Sequence, residues 1–185
     1  MNWLRSPLSF KLGFWMVQRR LKNRKRTVVA ANLKEINKVC ILVNLAEPNA
    51  KATLQKEIKL LKNAGKKEVD IIAFKKSWKE EDKAEVKNWV KITPNDFNWL
   101  FHPNLSLKNL ILTPYDLLIF IGSQPNKFLL NYLALSKAKF KVGIETQAFS
   151  SFLDMTIKVD AKDQDKFINS LNHYLNLINK PSYAT

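Results

Sequence analysis

With 185 residues, 46% of them apolar, the chain has material for one packed domain and an appendage and is short for two. Its 31 lysines and arginines against 16 acids give a net charge of +15, a field that favours nucleic acid, anionic lipid or another acidic surface. One cysteine, Cys40, excludes an internal disulfide and a multi-cysteine metal site, and no stretch reaches the roughly 18 apolar residues that cross a bilayer.

The first 26 residues hold eight basic side chains and no acid, so about half of the net charge lies in a seventh of the chain. They do not read as a signal peptide. Lys11 interrupts the apolar part, and the main basic cluster follows it rather than preceding it. Cytoplasmic residence is the expectation. Leu8, Leu12, Trp15 and Met16 share one helical face, and Phe10, Phe14, Val17 and Leu21 an adjacent one, with Ser6 and Pro7 suited to the start of a helix.

The continuous apolar run 38–45 reads as a strand buried on both faces, with Cys40 as a small core hydrophobe within it. Residues 50–64 form an amphipathic helix with Leu54, Ile58 and Leu61 inward, ended by a left-handed Gly65. A second strand follows at 69–76, then a solvated acidic loop or short helix at 77–88. The next stretch is ambiguous: a short strand near 89–92, an irregular turn with Trp99 and Phe101, and a helix or strand near 105–112. Clear signals return with a strand at 115–122, a helix at 127–138, a strand at 139–144, an edge strand at 152–159 and a closing helix at 162–179. This alternation predicts a three-layer, Rossmann-like α/β sandwich of about five mostly parallel strands with a basic N-terminal helical extension. The expected organisation is an extension over 1–31, a domain over 32–180 and a loose tail over 181–185.

The stretch YDLLIFIGSQPNKFLLNYLALSKAKFKVGI (115–144) resembles a family of small bacterial single-domain α/β proteins without an assigned activity, and NLKEINKVCILVN (32–44) resembles that family's entry into its first strand. More weakly, residues 115–144 are similar to the N-terminal Rossmann-like half of heptosyltransferase-like glycosyltransferases. That likeness implies topology alone, since the second domain that holds their sugar nucleotide has no counterpart here.

Motifs for catalysis are missing. The four glycines form neither a dinucleotide nor a P-loop fingerprint, so no cofactor is expected. His102 and His173 lack metal-ligand spacing, and no metal is expected. Asp96, Asp116, Asp154 and Asp160 lie near strand or turn ends without forming an acid–base pair, Asp116 having the position of a capped structural carboxylate. A candidate ligand crevice remains where parallel strands end, at Asn44, Glu47, Gly122, Ser123, Gln124 and Asn126; Ser123 and Asn126 serve equally as turn former and helix cap there.

The N-terminal arm carries the functional expectation: a non-enzymatic RNA-binding protein, ribosomal or ribosome-associated, contacting rRNA and neighbouring ribosomal proteins. Arg5, Lys11, Arg19, Arg20, Lys22, Arg24, Lys25 and Arg26 would take phosphates, and Trp3, Phe14 and Trp15 would stack or anchor. Lys51, Lys59 and Lys62 would extend the patch. The same arm also suits an anionic membrane surface, and a small enzyme with its site at the strand ends is the further alternative.

Overall fold

The computed structural model describes residues 15, 19, 26–30, 32–66, 68–79, 89–99, 101–160 and 163–178. Six strands, β1 (Lys38–Asn44), β2 (Glu68–Phe74), β3 (Val90–Ile92), β4 (Leu117–Ile121), β5 (Phe140–Ile144) and β6 (Met155–Ile157), form one sheet in the order β3-β2-β1-β4-β5-β6. Every pairing is parallel. The Rossmann-like expectation therefore holds, with six strands in place of about five.

Among the described residues four α-helices cover the two faces: α1 (Ala50–Asn63), α2 (Leu105–Leu112), α3 (Lys127–Leu135) and α4 (Gln164–Leu177). Successive strand residues point to opposite faces, so the runs of β1 and β4 must bury both. On one face Val39, Ile41, Val43, Ile119 and Ile121 pack with Leu54 and Leu61 of α1 and Ile168 and Leu171 of α4. On the other, Cys40, Leu42, Leu118 and Phe120 pack with Leu107 and Ile111 of α2 and Leu129 and Leu133 of α3. These are the three layers.

Local chemistry sets the ends of the elements. Gly65 takes φ 74 after α1, where the amides of Gly65 and Lys66 close on the carbonyls of Lys62 and Leu61. Residues 105–112 are helical because Pro103 ends the preceding segment and Asn104 caps the turn, accepting from Leu107 N–H at 2.9 Å. The helix expected over 127–138 stops at Leu135 because the Ser136 hydroxyl takes the Ala138 amide. The edge strand expected over 152–159 is only Met155–Ile157: residues 150–152 turn as a 3-10 helix, and the Asp154 carboxylate takes the Lys141 amide at 2.8 Å.

Glu57 breaks the apolar rule of the α1–α4 contact. It is fully buried, its Oε2 accepts one long bond from Asn172 at 3.3 Å, and its Oε1 has no hydrogen-bond partner among the described residues. Burial lifts its pKa to about 7, with the Asn172 bond pulling weakly the other way. Below the ordinary carboxylate range the group is neutral in both folded and unfolded chains and carries no ionisation penalty. As pH rises toward 7 only the unfolded chain ionises freely, so folding loses stability across that window. Urea unfolding should show Glu57→Met to be more stable than wild type by on the order of 2–3 kcal/mol at pH 8, with a smaller gain at pH 4.

Candidate functional site at the carboxyl ends of the strands

The strand order reverses between β1 and β4, and in open parallel sheets that is where ligands enter. The structure brings the crevice residues together around Glu47, 7% exposed on the turn after β1. One carboxylate oxygen of Glu47 accepts from Asn44 Nδ2 at 2.8 Å, Ser123 N–H at 3.0 Å and Gln124 N–H at 3.0 Å. The other accepts from Ser123 N–H at 2.9 Å and Ser123 Oγ at 2.8 Å. Gly122 is required by close approach: a Cβ there would stand 2.8 Å from the Phe120 ring and 3.3 Å from Glu47 Oε1. Asn126 acts as the cap of α3, accepting from the amides of Phe128 and Leu129.

Backbone amides at a switch point are what phosphate-binding folds of this kind offer to a ligand. Here the protein's own carboxylate occupies them, through charge-assisted bonds that outlast neutral ones. Ser123 has its hydroxyl bonded to a carboxylate and has no histidine beside it: His102 is exposed on the β3–α2 connection and His173 on α4. No group of three or more metal-binding side chains occurs among the described residues. The chemistry this supports is a latch between two loops.

Three further features went unread in the sequence. Lys127, only 8% exposed at the start of α3, holds its ammonium 5.0 Å over the Phe101 ring and 5.6 Å over Phe128, and burial lowers its pKa. Asp70 accepts from Tyr115 OH at 2.7 Å beside Cys40, whose thiol is pushed up by burial, as an inert core cysteine requires. An open groove of ≈ 510 Å³ beyond β5 and β6 is lined by Glu145, Thr146, Gln147, Ser150, Lys158 and Val159.

At the opposite, amino end of the sheet, Asp116 is the capped carboxylate expected, taking the amides of Asn37 and Lys38 at 3.0 Å each. Burial alone would raise its pKa, but the bonds from Lys139 and these amides outweigh it and hold it below the ordinary value. Residues 26–30 and 32–36 strap this end. Val29 N–H bonds the Lys139 carbonyl, Asn32 Nδ2 the Asn176 and Ile178 carbonyls, and Leu33 N–H the Leu175 carbonyl.

Arg26 belongs to the strap. Its guanidinium pairs with Asp154 and donates to the carbonyls of Ala138 at 2.7 Å and Lys139 at 3.2 Å. The donors of Arg26, a residue expected to take phosphate, are directed into the domain. Trp15, helical and 55% exposed, has the Arg19 guanidinium 5.7 Å from its ring. The other proposed arm contacts, Trp3, Arg5, Lys11, Phe14, Arg20, Lys22, Arg24 and Lys25, lie outside the described residues, as does the 181–185 tail. Lys51, Lys59 and Lys62 are exposed on α1.

Two outcomes follow. Glu47→Ala strands buried amides and should lower the unfolding free energy by on the order of 3 kcal/mol in urea, while ATP, NADH and orthophosphate leave the wild-type melting temperature unchanged. Arg26→Ala should cost about 1–3 kcal/mol in the same assay and leave polyanion affinity close to wild type, because its guanidinium is committed to the domain.

No helix among the described residues is long and apolar enough to cross a membrane. No curated protein and no solved structure matches the chain. A family model matches residues 11–178, a span that takes in most of the basic segment as well as the sheet. The chain belongs to that family, a family of unknown function designated DUF6913.

Proposed function

We propose that this chain is a non-enzymatic, cytoplasmic RNA-binding protein, associated with the ribosome, whose basic N-terminal arm grips rRNA phosphates while the α/β body gives shape and protein contacts. The observation that carries the reading is the charge distribution: eight cations without one acid in residues 1–26. Clustered cations gain affinity by releasing condensed counterions from phosphates, and adjacent indole and phenyl rings stack on unpaired bases. The strap of residues 26–30 and 32–36 supports it by fixing the root of the arm to the body. Exposed Lys51, Lys59 and Lys62, spread along α1, supply further sequence-independent contacts. The filled switch point supports the non-enzymatic half, since the donors that would hold a phosphate ligand are already satisfied. The likeness of residues 115–144 to glycosyltransferase halves enters as topology, without donor chemistry.

A membrane-surface reading draws on one observation, the exposed Trp15 with Arg19 one turn on, a pairing that also suits an anionic lipid interface.

The two separate by binding assays. The full chain should bind single-stranded RNA and cosediment with ribosomes, and affinity should fall steeply with salt. Replacing Arg19, Arg20, Lys22, Arg24 and Lys25 by Gln should flatten the slope of log affinity on log salt by about 3.5, at roughly 0.7 per lost phosphate contact. Flotation with anionic vesicles in place of RNA binding would overturn the proposal.

A further inference from the structure

The connection from β3 to α2 holds a feature that neither the latch nor the arm uses. Phe97 and Pro103 pair in antiparallel fashion, and between them Asn98 N–H donates to the His102 carbonyl, Phe101 N–H to the Asn98 carbonyl, and His102 N–H to Asn98 Oδ1, each at 2.9 Å. Phe101 takes a left-handed φ of 57 at the turn's end, and its carbonyl accepts from buried Asn131 at 2.9 Å. The underside rests on Phe128, whose ring centroid lies 5.2 Å from Phe97, 6.0 Å from Phe101 and 5.8 Å from Phe74. The hairpin is thus a braced pedestal, and at its tip Trp99 is 75% exposed.

An indole left in water on a braced turn contributes little to folding and offers a partner a large face with only two side-chain torsions to fix. Leu105, the first residue of α2, is 74% exposed and adds to the apolar surface of the same connection. The chemistry of this segment narrows the partner. Between residues 89 and 115 the one acid is Asp96, whose oxygens are taken by Thr93 N–H, Thr93 Oγ1 and Asn104 Nδ2. The rest of its exposed polar surface is mainly amides, including Asn95 and Asn109, with the Ser106 hydroxyl, the His102 imidazole and the Lys108 ammonium. An aromatic face on a segment rich in exposed amides, with one exposed ammonium and no open carboxylate of its own, stacks an unpaired base and meets its polar edge.

We propose that Trp99 is a base-stacking platform for single-stranded RNA on the body of the protein. The inference rests on the RNA reading above and adds a second, independent contact. The arm is rooted at the amino end of β5, whereas the hairpin follows the carboxyl end of β3. A strand engaging both spans at least the length of the sheet, roughly 17 Å at about 3.3 Å per residue.

The test is fluorescence anisotropy of the full chain on an unstructured oligouridine and on an RNA duplex of equal length. Trp99→Ala should weaken oligouridine binding about tenfold, leave duplex affinity and the salt slope unchanged, and Trp99→Phe should restore most of the loss. Since the side chain lies in solvent, the melting temperature of either variant should match wild type. Wild-type affinity of Trp99→Ala for oligouridine, or an equal loss on both RNAs, overturns the platform while the arm reading stands. If Trp99→Ala abolishes capture of a protein partner and leaves RNA affinity intact, the platform is likewise overturned. Failure of the wild-type chain to bind either RNA at low salt removes the arm reading together with it.

Discussion

The carboxylate of Glu47, spanning the point where the sheet changes direction, is the contact on which the functional account depends. Two loops that diverge from neighbouring parallel strands would leave amides and carbonyls facing an apolar interior, which costs free energy unless each is paired. Glu47 settles that demand internally, gathering Asn44 at the end of β1 and Ser123 and Gln124 from the loop after β4. The same position in related topologies serves a ligand, so an endogenous anion there alters what the domain can do. In the function proposed above the sheet is a support, and recognition falls to what projects from it.

The amino end shows the same principle with the opposite consequence. Asp116 and Asp154 take the amides at the starts of β1 and β5, and Arg26 ties the incoming chain to Asp154. Carboxylates therefore organise both ends of the sheet, and the neutralising cations at the amino end come partly from the strap. Among the described cations of the first 26 residues, Arg26 is taken up by the body and Arg19 lies over the Trp15 ring.

Much of this was legible in the residues. β1 and β4 announce themselves as continuous apolar runs because both faces of a parallel sheet are covered, and α1 and α4 show a helical stripe because only one face is. Short edge elements were harder: β3 and β6 have three residues each, too few for a period, and their limits depend on partners far along the chain. The crevice residues could be placed from strand ends alone. That Glu47 fills the crevice could not, since its partners at Ser123 and Gln124 lie 76 and 77 positions away. The pairing of Arg26 was hidden for the same reason. Its sequence neighbours are cations, but its spatial neighbour is Asp154, 128 positions on. The Trp99 pedestal was invisible as well, because an aromatic-rich turn reads as irregular until Phe74 and Phe128 are seen beneath it.

Hydrogen–deuterium exchange of the full chain, with and without single-stranded RNA, addresses the division between a passive body and a gripping arm most directly. The account predicts new protection within residues 1–25 and around the 97–103 hairpin, with the Ser123 and Gln124 amides equally slow in both states because Glu47 stays bonded to them. Exchange that changes at Ser123 and Gln124 while residues 1–25 remain unaffected would contradict it.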